Sequence, residues 1–172
     1  MKPSIDHRNI AIVLAGGTGS RMGTSTPKQY VEVGGLPVIA YCLRTLLQHE
    51  EIDMVIIAVA EEWQGFVQDC AEKIKPNIPI FYSKPGVQRQ GSIINALRVA
   101  KKSGVEDNDI VIIHDAARPL LTQELISTCL NACLEADAVL PVVPVKDTTY
   151  LSNDGVHIDS LLERKTLWNG HD

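Results

Sequence analysis

The sequence has no apolar run that approaches the ~18 residues a membrane-spanning helix needs, so no such span is expected and the chain should be soluble. Nor does it carry a basic excess. Its net charge is −5, which argues against a general nucleic-acid binder or a membrane-surface protein. Metal-type cysteine pairs are missing too. Cys42, Cys70, Cys129 and Cys133 have no ligand-like spacing, and Cys129 and Cys133 fall on one face of an expected helix without a nearby His, so all four read as packing residues. Reduced thiols suit the cytoplasm. The segment Met1 to Arg8 has no apolar centre of a secretory signal, which makes a cytoplasmic location the expectation. Internal repeats, low-complexity linkers, a Ser-His-Asp set and paired catalytic carboxylates are all lacking.

What is present is a glycine-rich segment, Leu14 to Gln29, reading LAGGTGSRMGTSTPKQ. Gly16, Gly17 and Gly19 reach positive φ at little cost and let main-chain N–H groups approach a ligand closely, and a run of such amides makes an anion-binding concavity. Arg21 and Lys28 add two cations seven positions apart. The loop is not a P-loop, because no Lys-Ser/Thr follows its last glycine, and it is not a dinucleotide fingerprint, because Met22 stands where a third small residue belongs. An ordinary turn remains the alternative for the glycines alone. The preceding run, Asn9 to Leu14, is almost entirely apolar, as expected of a parallel strand buried on both faces, so the loop should lie at a strand's carboxyl end, where open α/β sheets bind ligands.

Periodicity predicts alternating elements along the chain. Strands are expected at 9–14, 53–59, 78–82, 109–114 and 138–143, with helices at 36–48, 61–73, 92–103 and 122–136. Pro79 marks the third strand as an edge or a start. Gly104 stands in the C′ position of the third helix, and Thr122 caps the fourth. The order implies an α/β fold with a mostly parallel, three-layer Rossmann-like sheet over residues 1–143. Beyond Pro144, Ser152-Asn-Asp-Gly155 separates two short segments, 148–151 and 156–159, which reads as a β-hairpin arm within 144–168. Residues 169–172 have no assigned role.

Five ordered motifs carry a family resemblance: Leu14-Ala-Gly-Gly-Thr-Gly-Ser-Arg-Met-Gly23 with Pro27-Lys-Gln-Tyr30, Arg89-Gln-Gly-Ser92, His114-Asp-Ala-Ala-Arg-Pro119, Val145-Lys-Asp-Thr148 and Arg164-Lys-Thr-Leu-Trp168. The chain resembles the cytidylyltransferases that activate polyol phosphates, a group that includes 2-C-methyl-D-erythritol 4-phosphate and ribitol 5-phosphate cytidylyltransferases. The resemblance implies a nucleotidyltransferase that joins CMP from CTP to a polyol phosphate and releases pyrophosphate. It implies the erythritol phosphate of isoprenoid precursor synthesis as acceptor, with ribitol 5-phosphate as the alternative, since Tyr150 stands where the erythritol-phosphate enzymes often have Lys. It also implies a homodimer in which the hairpin arm completes the partner's site; an ordinary surface hairpin is the plainer reading of the same residues.

By the same resemblance, Arg21 and Lys28 stabilise the charge of the reacting phosphate. Leu14, Ala15, Gly16, Gly17, Thr18, Gly19, Gly86, Val87, Arg89 and Ser92 bind the nucleotide, and Ser92 also fits an N-cap. Arg118, Thr148 and Arg164 bind the acceptor. Asp115, directly after an apolar strand, holds Mg2+, although a turn aspartate is its simpler reading. His114 reads as structural. Gly91 and Pro85 depart from the family's usual aspartate and glycine. Relatives continue past Asp172 with further helices and a late phosphate-binding lysine, so the chain reads as truncated, and a CTP-binding fragment without turnover is the other reading.

Overall fold

The computed structural model describes residues 7–17 and 26–170, in two compact units, one up to Leu130 and one from Asn131. In the first unit, β1 (Asn9–Leu14) leads through the glycine loop to a 3-10 turn at Lys28–Tyr30. Then come β2 (Glu32–Val33), β3 (Leu36–Pro37), α1 (Val38–Leu47), β4 (Met54–Ala58), α2 (Glu61–Glu72), β5 (Ile80–Ser83), α3 (Arg89–Lys102), β6 (Ile110–Asp115) and α4 (Gln123–Cys133), whose last turn carries into the second unit.

The apolar run of β1 is buried on both faces, and its side chains alternate between two cores. Ile10 and Ile12 join Met54, Ile56, Ala96 and Ala100 beneath α3. Ala11 and Val13 face the opposite way, toward Ile39, Leu43 and Leu46 of α1, Val67 of α2 and Ile126 of α4. Burying each large aliphatic side chain contributes about 1.5–3 kcal/mol relative to leaving it in water. The result is a three-layer α/β unit around a four-stranded parallel sheet of order β5-β4-β1-β6.

That order positions the site. The chain steps outward from β1 to β4 and β5 through α1 and α2, then crosses the opposite face through α3 and returns to pair β6 with the other side of β1. Strand order therefore reverses between β1 and β6, and the crevice at their carboxyl ends is the switch point where such sheets bind ligands. Leu14 and Asp115 are register partners there.

Local signals explain the helix ends. Gly104 has φ +83°, and the N–H groups of Gly104 and Val105 donate to the carbonyls of Lys101 and Ala100 at 3.2 and 3.1 Å, closing α3 as the C′ glycine predicts. Thr122 Oγ1 accepts the Leu125 N–H at 3.1 Å, which confirms the expected cap of α4. The fourth helix ends at Cys133, short of the expected 136, and two helix starts differ from expectation. The helix foreseen from Leu36 starts at Val38, because Gly34 and Gly35, with φ of +60° and +81°, turn residues 32–37 into a small antiparallel hairpin. The helix foreseen from Ser92 starts at Arg89, with Gln88 as its N-cap, so Ser92 lies inside the first turn and is not the cap.

In the second unit, β7 (Val142–Pro144) pairs antiparallel with β10 (Trp168–Gly170), and β8 (Tyr150–Leu151) pairs with β9 (Ser160–Leu161); a 3-10 turn spans Arg164–Thr166. The strand expected at 138–143 is thus shorter and later, and its ladder partner is antiparallel. Pro141 and Pro144 have no N–H to donate, which limits ladder formation on both sides. The arm hairpin forms, but with β9 beginning after 156–159, where a strand was expected. Asp154 explains the longer connection: its carboxylate accepts the N–H groups of Val156 and His157, both at 2.8 Å, and holds them in a turn. The same carboxylate meets the His157 ring, and these donors hold its pKa well below the usual carboxylate range. Among the described residues no helix is long and apolar enough to cross a membrane. Cys42 and Cys70 are buried, as packing residues should be, whereas Cys129 and Cys133 are only half-buried; burial pushes the Cys42 thiol up to about 12.

Candidate functional site

A cleft of about 330 Å³ opens at the switch point of the first unit, within the ~300–1,000 Å³ typical of small-molecule sites. Three chain segments form it: the glycine loop with Lys28, the loop 86–89 leading into α3, and the turn after β6.

The glycine loop starts rigidly. The Ala15 N–H donates to the Ala58 carbonyl at 2.8 Å and the Ala116 N–H to the Leu14 carbonyl at 3.0 Å, so β1 remains zipped to both neighbours as it enters the loop. Leu14, Gly16 and Gly17 line the cleft, while Ala15 is buried behind them. Lys28 reaches the cleft from the 3-10 turn. The next two residues of that turn bind back onto the glycine loop, and Gln29 also borders the cleft. Gln29 Nε2 donates to the carbonyls of Ala15 and Gly17 at 2.8 and 2.7 Å, and the Tyr30 hydroxyl donates to Ala15 at 2.8 Å. Tyr30 also stacks on Trp63, with ring centroids 4.4 Å apart, and burial pushes its phenol up to about 12. Thr18, Gly19 and Arg21 lie outside the described residues.

Gly86 and Ser92 shape the second wall. A Cβ on Gly86 would lie 2.4 Å from the Gly91 carbonyl carbon, so only glycine allows the loop to touch the start of α3. Ser92 is buried; its Oγ accepts the Gly86 N–H at 2.9 Å and its hydroxyl donates to the Gln88 carbonyl at 3.4 Å. The serine expected to read a base is a clamp on the loop before α3. Val87 projects fully into solvent, and Arg89 borders the cleft. Pro85 covers Gly16: a Cβ at Gly16 would stand 2.3 Å from the Pro85 Cβ. The departure to proline at 85 thus locks the two loops together through a glycine.

In the third wall, Asp115 lies at the end of β6 with both carboxylate oxygens engaged. Arg118 Nε donates to Oδ2 at 3.1 Å and Arg89 Nε to Oδ1 at 3.4 Å. The three side chains are part-exposed, so these are solvent-screened pairs that can exchange partners at small cost. His114 does not line the cleft; its Nε2 stands 3.0 Å from the Arg118 carbonyl, and burial lowers its pKa.

Among the described residues no group of three or more His, Cys, Asp or Glu side chains gathers for a metal. Asp115 alone still fits Mg2+, which takes one or two protein carboxylates and completes its shell with phosphate oxygens and water. A softer metal wanting several protein ligands would find no such set there.

The structure therefore brings Leu14, Gly16, Gly17, Lys28, Gly86, Val87, Arg89, Ser92, Asp115 and Arg118 to one cleft. Thr148 and Arg164 belong to the second unit, where both are exposed and Arg164 Nη1 donates to the Lys146 carbonyl at 2.8 Å. Sequence reasoning assigned no role to Gln29 or Tyr30, although both stand in the motif beside Lys28. Their place in the motif directly after Lys28 is the only trace of them in the sequence; no spacing rule encodes their contacts.

Comparison with known proteins is consistent with this geometry. The protein-family model described as "IspD: 2-C-methyl-D-erythritol 4-phosphate cytidylyltransferase" matches residues 9–171. A protein of Oryza sativa subsp. japonica, described as the chloroplastic 2-C-methyl-D-erythritol 4-phosphate cytidylyltransferase, is 33% identical over 96% of this chain and 54% of its own length. One of Syntrophus aciditrophicus, described as the same enzyme, is 36% identical over 98% of this chain and 69% of its own. The chain thus spans about half the length of the plant relative and just over two thirds of the bacterial one. Among solved structures, 4-diphosphocytidyl-2C-methyl-D-erythritol synthase of Anaerococcus prevotii superposes with a TM-score of 0.77 at 25% identity, covering 96% of this chain and 69% of that one.

Proposed function

The chain belongs to the 2-C-methyl-D-erythritol 4-phosphate cytidylyltransferase family, and from that premise we propose that it transfers CMP from CTP to 2-C-methyl-D-erythritol 4-phosphate and releases pyrophosphate. The observation that carries this reading is the convergence, at the β1/β6 switch point, of a glycine loop, a lysine and an arginine-flanked aspartate in one cleft.

In this reading the glycine loop and Lys28 receive the triphosphate, and Arg21 adds its charge there. The acceptor's phosphate attacks the α-phosphorus, a new P–O bond forms, and pyrophosphate departs with the electrons of the broken one. A phosphate monoester with a second pKa of about 6 is largely a dianion at neutral pH, so no general base is needed. Positioning and cations do most of the work in such transfers. Lys28 suits developing negative charge as a compact ammonium, and Arg118 suits a phosphate through its planar fork. Asp115 would hold Mg2+, which when bound neutralises phosphate charge. The loop 86–92 would surround the cytosine. Residues 144–168 would act as a dimerisation arm carrying Thr148 and Arg164 to the acceptor; the exposed apolar side chains of Tyr150, Leu151 and Leu161 support an arm that meets a partner. A cytoplasmic location goes with this reading.

Calorimetry with CTP, UTP, GTP and ATP tests the nucleotide, and a turnover panel of erythritol- and ribitol-type phosphates tests the acceptor. CTP binding and turnover with the erythritol phosphate are expected. Turnover with ribitol 5-phosphate instead would reassign the acceptor, and CTP binding without turnover on any acceptor would reduce the chain to a nucleotide-binding module.

A further inference from the structure

We propose that Gln29 is a positioning residue for the phosphate-binding loop: its carboxamide fixes the peptide orientation that presents the Gly16 N–H to the triphosphate. The proposal rests on the triphosphate reading of the cleft.

Gln29 is only 2% exposed, yet it carries a polar head. Its Nε2 lies 2.8 Å from the Ala15 carbonyl and 2.7 Å from the Gly17 carbonyl. Both partners only accept, so the nitrogen of the amide must be the atom facing them, and its two protons are both used. Peptide bonds here are trans and planar, so the N–H of Gly16 points opposite to the Ala15 carbonyl. Since that carbonyl is drawn inward by Gln29 and Tyr30, the Gly16 N–H is turned the other way, on a residue that lines the cleft.

A glycine loop needs such a lock. The absence of Cβ that lets the amides approach an anion also lets the peptides flip at little cost. A flipped peptide would place a carbonyl oxygen where a phosphate oxygen should sit and turn the cradle from attractive to repulsive. Two donors on one buried side chain hold two carbonyls of the loop at once. Its nearest neutral and acidic isosteres cannot do this: methionine offers no donor, and glutamate offers one proton at most, only when protonated. The same 3-10 turn leaves Lys28 at the cleft, so one short element sets both the cation and the cradle.

The test compares wild type with Gln29→Met and Gln29→Glu by calorimetric titration with CTP and with inorganic tripolyphosphate, each across a range of pH. Gln29→Met should weaken both ligands by about tenfold or more. Gln29→Glu should be as weak as Gln29→Met at about pH 8, and its affinity relative to wild type should recover several-fold toward about pH 5.5, as the carboxyl acquires a proton to donate. A residue that only stabilises the fold would give no such pH-dependent recovery. Wild-type affinities in both variants, or a Gln29→Glu to wild-type ratio that is flat with pH, overturn the proposal. Wild-type protein that binds tripolyphosphate but not CTP removes the cytidylyl reading, and the tripolyphosphate titrations then decide the role of Gln29 by themselves.

Discussion

The backbone N–H of Gly86 donates to Ser92 Oγ across 2.9 Å and ties the loop before α3 to the first turn of that helix. The contact makes this wall of the cleft a closed unit. Ser92→Ala should cost about 1 kcal/mol of stability and weaken CTP binding several-fold, because the loop loses its hold as well as a hydroxyl. Gly86→Ala should be worse, since its Cβ meets backbone at 2.4 Å and the chain must shift; overpacking of this kind costs about 1–3 kcal/mol. Urea unfolding and CTP calorimetry on the same samples check both.

Lys28→Ala should leave stability within about 0.5 kcal/mol of wild type, because the residue is exposed. Turnover should fall by at least about 100-fold, the scale of removing a group that meets transition-state charge. Near-full kcat in a folded variant would show that the phosphate reading of the loop is wrong.

Asp115→Asn separates the ionic role of the aspartate from its role as a turn residue. Its pairs with Arg89 and Arg118 are part-exposed, so stability should change by less than about 1 kcal/mol. Turnover and its dependence on Mg2+ should be lost together. A Mg2+ titration of initial rate in the variant checks this, and retained Mg2+-dependent turnover would move the metal to another carboxylate.

Two pH windows follow from burial. His114 has a lowered pKa in the fold, so its contribution to stability is present above the unfolded value of about 6.5 and is lost as pH falls below it. Tyr30 is pushed up to about 12, so its contribution is present below the unfolded value of about 10 and is lost as pH rises from there. Unfolding free energies of His114→Gln should fall less steeply than wild type between about pH 7 and 5, and those of Tyr30→Phe less steeply between about pH 10 and 12. Slopes equal to wild type would contradict the burial of these groups.

How much was legible in the sequence differs between the parts of the chain. The parallel sheet was, because a strand such as Asn9–Leu14 is apolar on both faces and its neighbours repeat the pattern. Thr122 and Gly104 also announced their helix ends. The hairpin at 32–37 was less visible, since Gly34-Gly35 stands between segments too short to show alternation. The partner of β7 was not visible, because Pro141 and Pro144 interrupt the pattern and the antiparallel strand at Trp168–Gly170 is remote in sequence. In the cleft, Lys28, Arg89, Asp115, Arg118 and the glycines at 16, 17 and 86 could be read from motifs, whereas Arg164, read the same way, belongs to the second unit. The loop's supports could not: the Gln29 carboxamide, the Tyr30 hydroxyl and the packing of Pro85 on Gly16 act through contacts that no spacing rule encodes.

The most direct measurement is phosphorus NMR of a mixture of the protein, CTP, Mg2+ and 2-C-methyl-D-erythritol 4-phosphate, with Lys28→Ala protein run beside it. Equal growth of free pyrophosphate and of a new diphosphate diester, seen with wild type and absent with Lys28→Ala, is the expected result. CTP and the acceptor persisting unchanged with folded wild-type protein, or product formed equally by both proteins, would contradict a cytidylyl-transfer site built on this cleft.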